Sequence, residues 1–304
     1  VRTLRIAMRA RRRVAYALVL ASGLFGAHCS LVVDTSGLTG GATIDSGVEE
    51  AGSGDATLVD ATQDAPADAV VEIDGPDEPV ASRYAMAVLA DNPAIYYHLD
   101  ETAGATAGDA MGTHPGTYFG SVQLGQPGIF AGSTAVSFTG TSAGIDAGAL
   151  GVFRARTPFT IELWAKPLGY DGEYRFLARR LFFDADGGRN DLGVNAQDQG
   201  GLVFERFIAS AGRGARTGLP PIDGFFHHLV CVYDGNGLVM YRDGVVIADE
   251  PDARSAPDAD GTFYIGTGET GRFTSNAVID EVAVYGKALD VTRVIAHFEI
   301  ARGK

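Results

Sequence analysis

The chain has 304 residues, a formal net charge of −14 and only two cysteines. Its charges are segregated: residues 1–28 carry six arginines and no acid, while residues 30–80 carry twelve acids and no Lys or Arg. No net basic surface remains after residue 28 to hold phosphate, which excludes a nucleic-acid binder, and two cysteines cannot staple a disulfide framework.

Taken in chain order, the first segment reads as an export signal. Arginines lead into the apolar run Val14–Ala27, which is too short to span a bilayer. The run ends at Gly26-Ala27-His28-Cys29-Ser30, which resembles a bacterial lipobox with Cys29 as the lipidated residue, although His28 replaces the usual small residue. Residues 29–82 come next as an acidic linker without an aromatic side chain up to residue 80, too polar to bury a core. As a flexible coil this linker would average roughly 40 Å end to end, so it reads as a stalk at the bacterial surface or outer membrane.

The folded domain is expected over residues 83–304, long enough to bury roughly 70 % of its unfolded surface. A short helix is predicted over Ser82–Asp91, with Ser82 as N-cap and Pro93 beyond its end. Strands with alternating polarity are predicted over Ile95–Leu99, Ala135–Thr139, Pro158–Lys166, Gly201–Ile208, Phe225–Tyr233, Leu238–Arg242, Val245–Ala248, Gly261–Gly266 and Val278–Tyr285. Asp243-Gly244 between two of them is a strong hairpin signal, because both central residues of that turn need φ > 0. A last helix is expected to start at Asp290 and to bury Val291, Val294, Ile295 and Phe298. The pattern predicts an all-β, two-sheet antiparallel sandwich of the jelly-roll kind.

The closing strand carries a carboxylate among apolar residues. Strict alternation would place Asp280 with Val278, Val282 and Val284, and Glu281 on the opposite face. Both faces are largely apolar, so Asp280 is expected inside, where it needs amide donors, a cation or a metal.

Tyr84–Glu101, Ala135–Gly140, Phe159–Pro167, Phe226–Asp234, Leu238–Gly244 and Ile279–Tyr285 resemble, in order and spacing, successive blocks of the laminin-G-like, concanavalin A-like jelly-roll domain. Tyr97 and Phe226 stand where that family often has Trp, and both are expected to serve the core. The resemblance implies a structural Ca2+ near the meeting of the first and last strands, with Asp109, Asp280 and Glu101 as candidate ligands. Calcium takes six to eight oxygens, so loop carbonyls would have to join. The alternative is that loop amides satisfy the acids without an ion.

An enzyme of this fold class would show clustered carboxylates, and residues 83–304 contain no Glu-x-Asp-x-x-Glu run. The six histidines offer no His-Glu-x-x-His, and no Gly-x-Ser-x-Gly elbow for a serine nucleophile is expected. Asp184–Asp191 fails the EF-hand template at Arg189 and Asn195, and Asp258–Gly261 reads as a turn. Trp164, on a mostly polar face of its strand, is either a sugar platform or a packed core residue. Seven arginines lie between Arg175 and Arg216, and Arg213 and Arg216 are candidates for an anionic ligand. The sequence therefore predicts a non-catalytic module that recognises carbohydrate or an extracellular protein, anchored to the membrane through Cys29. The competing readings are a structural surface-display protein and a divergent polysaccharide hydrolase.

Overall fold

The computed structural model describes residues 78–169, 175–183, 185–197, 201–218, 222–269 and 273–304. The signal segment, Cys29, most of the acidic linker, and Asp184 lie outside the described residues. The elements are α1 (Val80–Ala90), β1 (Ile95–Tyr97), β2 (Thr106–Ala107), β3 (Gly116–Pro127), β4 (Thr134–Ala149), β5 (Phe159–Pro167), β6 (Arg175–Leu181), β7 (Asp191–Gln197), β8 (Gly201–Ile208), β9 (Ala211–Arg216), β10 (His227–Tyr233), β11 (Gly237–Arg242), β12 (Val245–Pro251), β13 (Thr262–Ile265), β14 (Ala277–Tyr285) and α2 (Val291–Ala301).

All strand pairings are antiparallel, in the order β12-β11-β10-β5-β14-β4-β13-β6-β7-β8-β9, with β1 on β14 and β3 along β4. β4 is the corner: Val136–Phe138 pairs with β14 and Ile145–Ala149 with β13, and Gly140 between them has φ +82°. The sheet thus folds into two layers around a core that includes Val136, Phe138, Phe159, Ile161, Phe204 and Ile279. A second apolar layer, with Tyr84, Trp164, Val230, Tyr285 and Val294, lies between the β5–β10–β14 sheet and the two helices. This is the expected jelly-roll sandwich, with its outer face covered.

All nine positions of β14 are buried, since the core lies on one face and the helices on the other. Its alternation is not strict, which corrects the expected faces. The register against β5 shifts between Asp280 and Ala283, and Glu281 has φ +51°. An extra residue in a bulge flips the parity of the strand beyond it. Ala277 and Ile279 before it, and Val282 and Val284 after it, all enter the inter-sheet core. Glu281 turns instead to Tyr96 in the helix-side layer and stands close enough to Asp280 to raise its carboxyl pKa.

Asp243 and Gly244 have φ +54° and +76° and join β11 to β12 as a hairpin, as their sequence predicts. Asp290 caps α2 by accepting the Thr292 N–H at 2.8 Å. The stripe that α2 buries is different from the expected one. Val294 and His297 are buried, whereas Val291 and Ile295 are each 42 % exposed. α1 starts at Val80, directly after Pro79, so Ser82 lies inside the helix and caps nothing. The fixed φ of a proline suits helix entry without a side-chain cap.

Gly266 has φ +75°, and a Cβ there would lie 2.4 Å from the Phe138 ring. Gly266→Ala combines left-handed strain with overpacking and should destabilise the full chain by about 2 kcal/mol or more in urea unfolding. Gly148→Ala, with φ +66° but open space around it, should cost only the backbone strain. Equal losses at both positions would contradict the close packing of Gly266 on Phe138.

Candidate functional site

A carboxylate with no access to water organises the helix-covered face. Glu162 of β5 and its partners His228 of β10 and His297 of α2 are all 0 % exposed. Glu162 Oε1 accepts from Tyr84 Oη at 2.9 Å, His228 Nε2 at 2.8 Å and His297 Nδ1 at 3.0 Å. Oε2 accepts from Tyr285 Oη at 2.7 Å. On its far side, His297 Nε2 meets Asp91 Oδ2 at 3.1 Å and the Ala87 carbonyl at 3.2 Å. Each ring nitrogen thus faces an oxygen acceptor, as an imidazolium requires, while the Arg293 guanidinium 3.3 Å from Nε2 opposes charge on the ring. Burial disfavours charge on both groups, but the histidines hold Glu162 well below the usual carboxylate range. Glu162 and Asp91 in turn hold His297 above its ordinary value.

This hub places the floor of a cleft. Trp164, two residues along β5, is only 6 % exposed. Its indole N–H donates to Tyr84 Oη at 3.0 Å, and its ring stacks on His228 and Phe298. The cleft of about 560 Å3 opens beside it, between the end of α2, the segment before β10 and the β11–β12 turn. Phe225 stands at its rim 70 % exposed. His227 lies between two carboxylates, with Nδ1 2.8 Å from Asp243 and Nε2 3.2 Å from Asp223. The bond to Asp243 outweighs burial and raises the His227 pKa.

The structure distributes the sequence candidates over several places. Trp164 lines the cleft, but its stacked ring leaves little open face for a sugar. Arg213 and Arg216 share a different hollow of about 540 Å3 with Glu250 and Arg254. There Arg213 pairs with Glu250 at 3.2 Å and Arg216 with Glu205 at 3.5 Å. Asp109 accepts backbone N–H groups from Tyr96, Met111, Thr113 and His114 at 2.9–3.1 Å. Glu101 accepts from Gly108 N and Tyr118 Oη. Asp280 is 1 % exposed and accepts from Ile129 N at 2.9 Å and Glu281 N at 3.0 Å. Loop donors thus engage all three acids separately, and among the described residues no group of three His, Cys, Asp or Glu could hold a metal. Burial and the adjacent Glu281 push the Asp280 carboxyl up to about 8.

Asp191, in the rejected EF-hand stretch, pairs with Arg179 and Arg189 instead. A Gly-x-Ser-x-Gly spelling does occur, at Gly140–Gly144, contrary to the expectation for serine chemistry. It runs inside β4 rather than at a strand-to-helix elbow, so Ser142 lacks the required geometry. Phe225 was hidden in the sequence by its placement within a predicted strand. That strand starts only at His227, which leaves Phe225 on the preceding segment. The adjacent pair Phe225-Phe226 was the available signal, since a pleat cannot bury both rings in one layer.

The family model of the concanavalin A-like lectin/glucanases superfamily matches residues 139–295, more than half of the chain. The chain belongs to this superfamily. No functionally curated protein matches the sequence. Among solved structures, Domain 4 of AbnA, a GH43 extracellular arabinanase from Geobacillus stearothermophilus in complex with arabinotriose, aligns with TM-score 0.53 and 19 % identity over 67 % of this chain and 97 % of that one. Trypanosoma rangeli sialidase in complex with sialic acid aligns with TM-score 0.53 and 14 % identity over 67 % of this chain and 32 % of the sialidase. The binding domain of Paraclostridial Mosquitocidal Protein 1 aligns with TM-score 0.53 and 14 % identity over 69 % of this chain and 52 % of that one. At these identities the likeness is one of fold. This superfamily member differs from the sequence-level match in one respect: the blocks from Tyr84 to Phe138 lie outside the family model.

The hub gives this superfamily member a defined pH response. His297, held high, contributes stability that is fully present below the unfolded histidine value of about 6.5 and is lost as pH rises through its folded value. Glu162, held low, contributes stability present above the unfolded value of about 4.3 and lost as pH falls. The melting temperature of the full chain should therefore decline as pH rises above about 6.5, with Asp280 acting in the same direction. His297→Gln should destabilise the chain by about 3 kcal/mol at pH 6 and reduce that slope. A slope unchanged in the variant would contradict an ionised pair.

Proposed function

We propose that this chain is an exported, non-catalytic recognition module that binds carbohydrate in the cleft between α2 and the start of β10. The observation that carries this reading is the combination of an exposed aromatic ring, Phe225, with the charged groups of Asp223, His227, Asp243 and Arg302 around one concave site. Sugars present apolar C–H faces and rings of hydroxyls, so a flat hydrophobe edged by polar groups suits them. The superfamily assignment agrees with this, and the AbnA domain of the same fold was solved in complex with arabinotriose.

The binding role is supported by the state of the acids. Asp280 and Glu281, adjacent on β14, are 1 % and 3 % exposed and out of reach of a polysaccharide. Asp223 and Asp243 are both engaged by one imidazole. We place the module on the acidic linker, tethered through a lipidated Cys29.

Phe225→Ala should weaken binding of the full chain to its best ligand on a glycan array by about tenfold or more while leaving the melting temperature unchanged. Undiminished binding would remove the cleft from the account. Mass spectrometry of the N-terminus of the exported protein should find an acylated Cys29, and an unmodified cysteine would reduce the protein to a secreted one.

A further inference from the structure

The hydrogen-bonding capacity of the cleft is unevenly spent. Asp223 Oδ1 accepts Phe225 N–H at 2.9 Å, and its Oδ2 is bound to His227. Asp243 Oδ1 accepts His228 N–H at 3.0 Å, and its Oδ2 is bound to His227. Each of the four carboxylate oxygens therefore accepts one bond within the protein, and both imidazole nitrogens of His227 face a carboxylate.

Two cations are differently placed. Arg302, exposed at the end of α2, has its guanidinium 5.5 Å from the Phe298 ring, and Lys166 Nζ lies 4.9 Å over the Phe226 ring. Both rings line the cleft. Neither Arg302 nor Lys166 has a carboxylate partner among the described residues, whereas Arg213 and Arg254 of the other hollow pair with Glu250 and Asp252.

We infer that the ligand of this cleft is an acidic sugar, held through its carboxylate by Arg302 and Lys166 beside the Phe225 ring. The inference rests on the carbohydrate reading of the same cleft. A carboxylate is an acceptor at both oxygens and donates nothing, which matches the donor groups of Arg302 and Lys166. Arg302 offers the planar fork that meets a carboxylate with two bonds, and Lys166 supplies a point charge. A neutral sugar gains much less from either, because its hydroxyls form uncharged acceptors.

The test is calorimetric titration of the full chain with matched pairs, tetragalacturonate against its methyl ester and sialyllactose against lactose, at low and high salt. At least one acid should bind, with its neutral counterpart about tenfold weaker or more, and added salt should weaken the acid selectively. Arg302→Gln, at an exposed helix end where the fold does not depend on it, should bring the acid down to the level of the neutral sugar. Lys166→Gln should act in the same sense. Equal binding of acid and neutral partner, or an acid preference that survives Arg302→Gln, overturns the inference and leaves the cleft standing if Phe225→Ala still removes binding. Failure of every sugar to bind overturns the carbohydrate reading and the inference with it.

Discussion

One buried anion sets the terms for this molecule. Placing Glu162 at the centre of a sheet, fully away from water, is tolerable only if donors surround it. The chain meets that demand from four elements: Tyr84 of α1, His228 of β10, Tyr285 of β14 and His297 of α2 converge on a β5 carboxylate. The helices are therefore more than a cover for apolar surface. Without His297 the C-terminal helix would keep its apolar contacts, Val294 and Phe298 among them, and its Arg293–Asp91 pair, but would lose its tie to the sheet's buried carboxylate beside the cleft that Phe298 and Arg302 help to form. The cost of desolvating Glu162 thus becomes a means of fixing one arrangement of sheet and helices.

A second buried group serves a related end. Asp280 binds the Ile129 amide and so ties the loop after β3 to the closing strand. Gly128 permits that approach, since a Cβ there would lie 2.8 Å from Asp280 Oδ2 and 2.3 Å from Ser133 Oγ. The bulge lets β14 keep Ala277, Ile279, Val282 and Val284 in the core while its acids face the helix layer. Backbone strain at Glu281 is offset by the bonds that its side chain makes to Tyr96 and His98.

Much of the fold was legible because its central strands obey simple patterns. Phe159–Lys166 and His227–Tyr233 alternate cleanly into the inter-sheet core, and Asp243-Gly244 could hardly be anything but a hairpin turn. The strands that escaped were β2, only two residues long, and β3, β6, β7 and β9, whose sequences are rich in Gly, Arg and polar residues, although Leu192, Val194 and Ala196 of β7 do alternate into the interior. Strict alternation also hid the bulge, because a one-residue insertion leaves no mark in composition. The site was legible only in pieces. Trp164 and the acids carried chemistry that the sequence could flag, yet Glu162, His228 and His297 are 66 and 69 residues apart along the chain, and only the packed helices bring them together. The exposed Phe225 could not be separated from its buried-looking neighbour without knowing where β10 begins.

The central claim is that ligand recognition occurs at the cleft walled by α2 and floored through the Glu162 hub. A crystal structure of the full chain grown with its best array ligand tests it most directly. A sugar ring should lie against Phe225, within hydrogen-bonding reach of Arg302, with the Glu162–His297 contact unchanged. A sugar bound instead in the hollow of Arg213 and Arg216, with the cleft vacant, would contradict it.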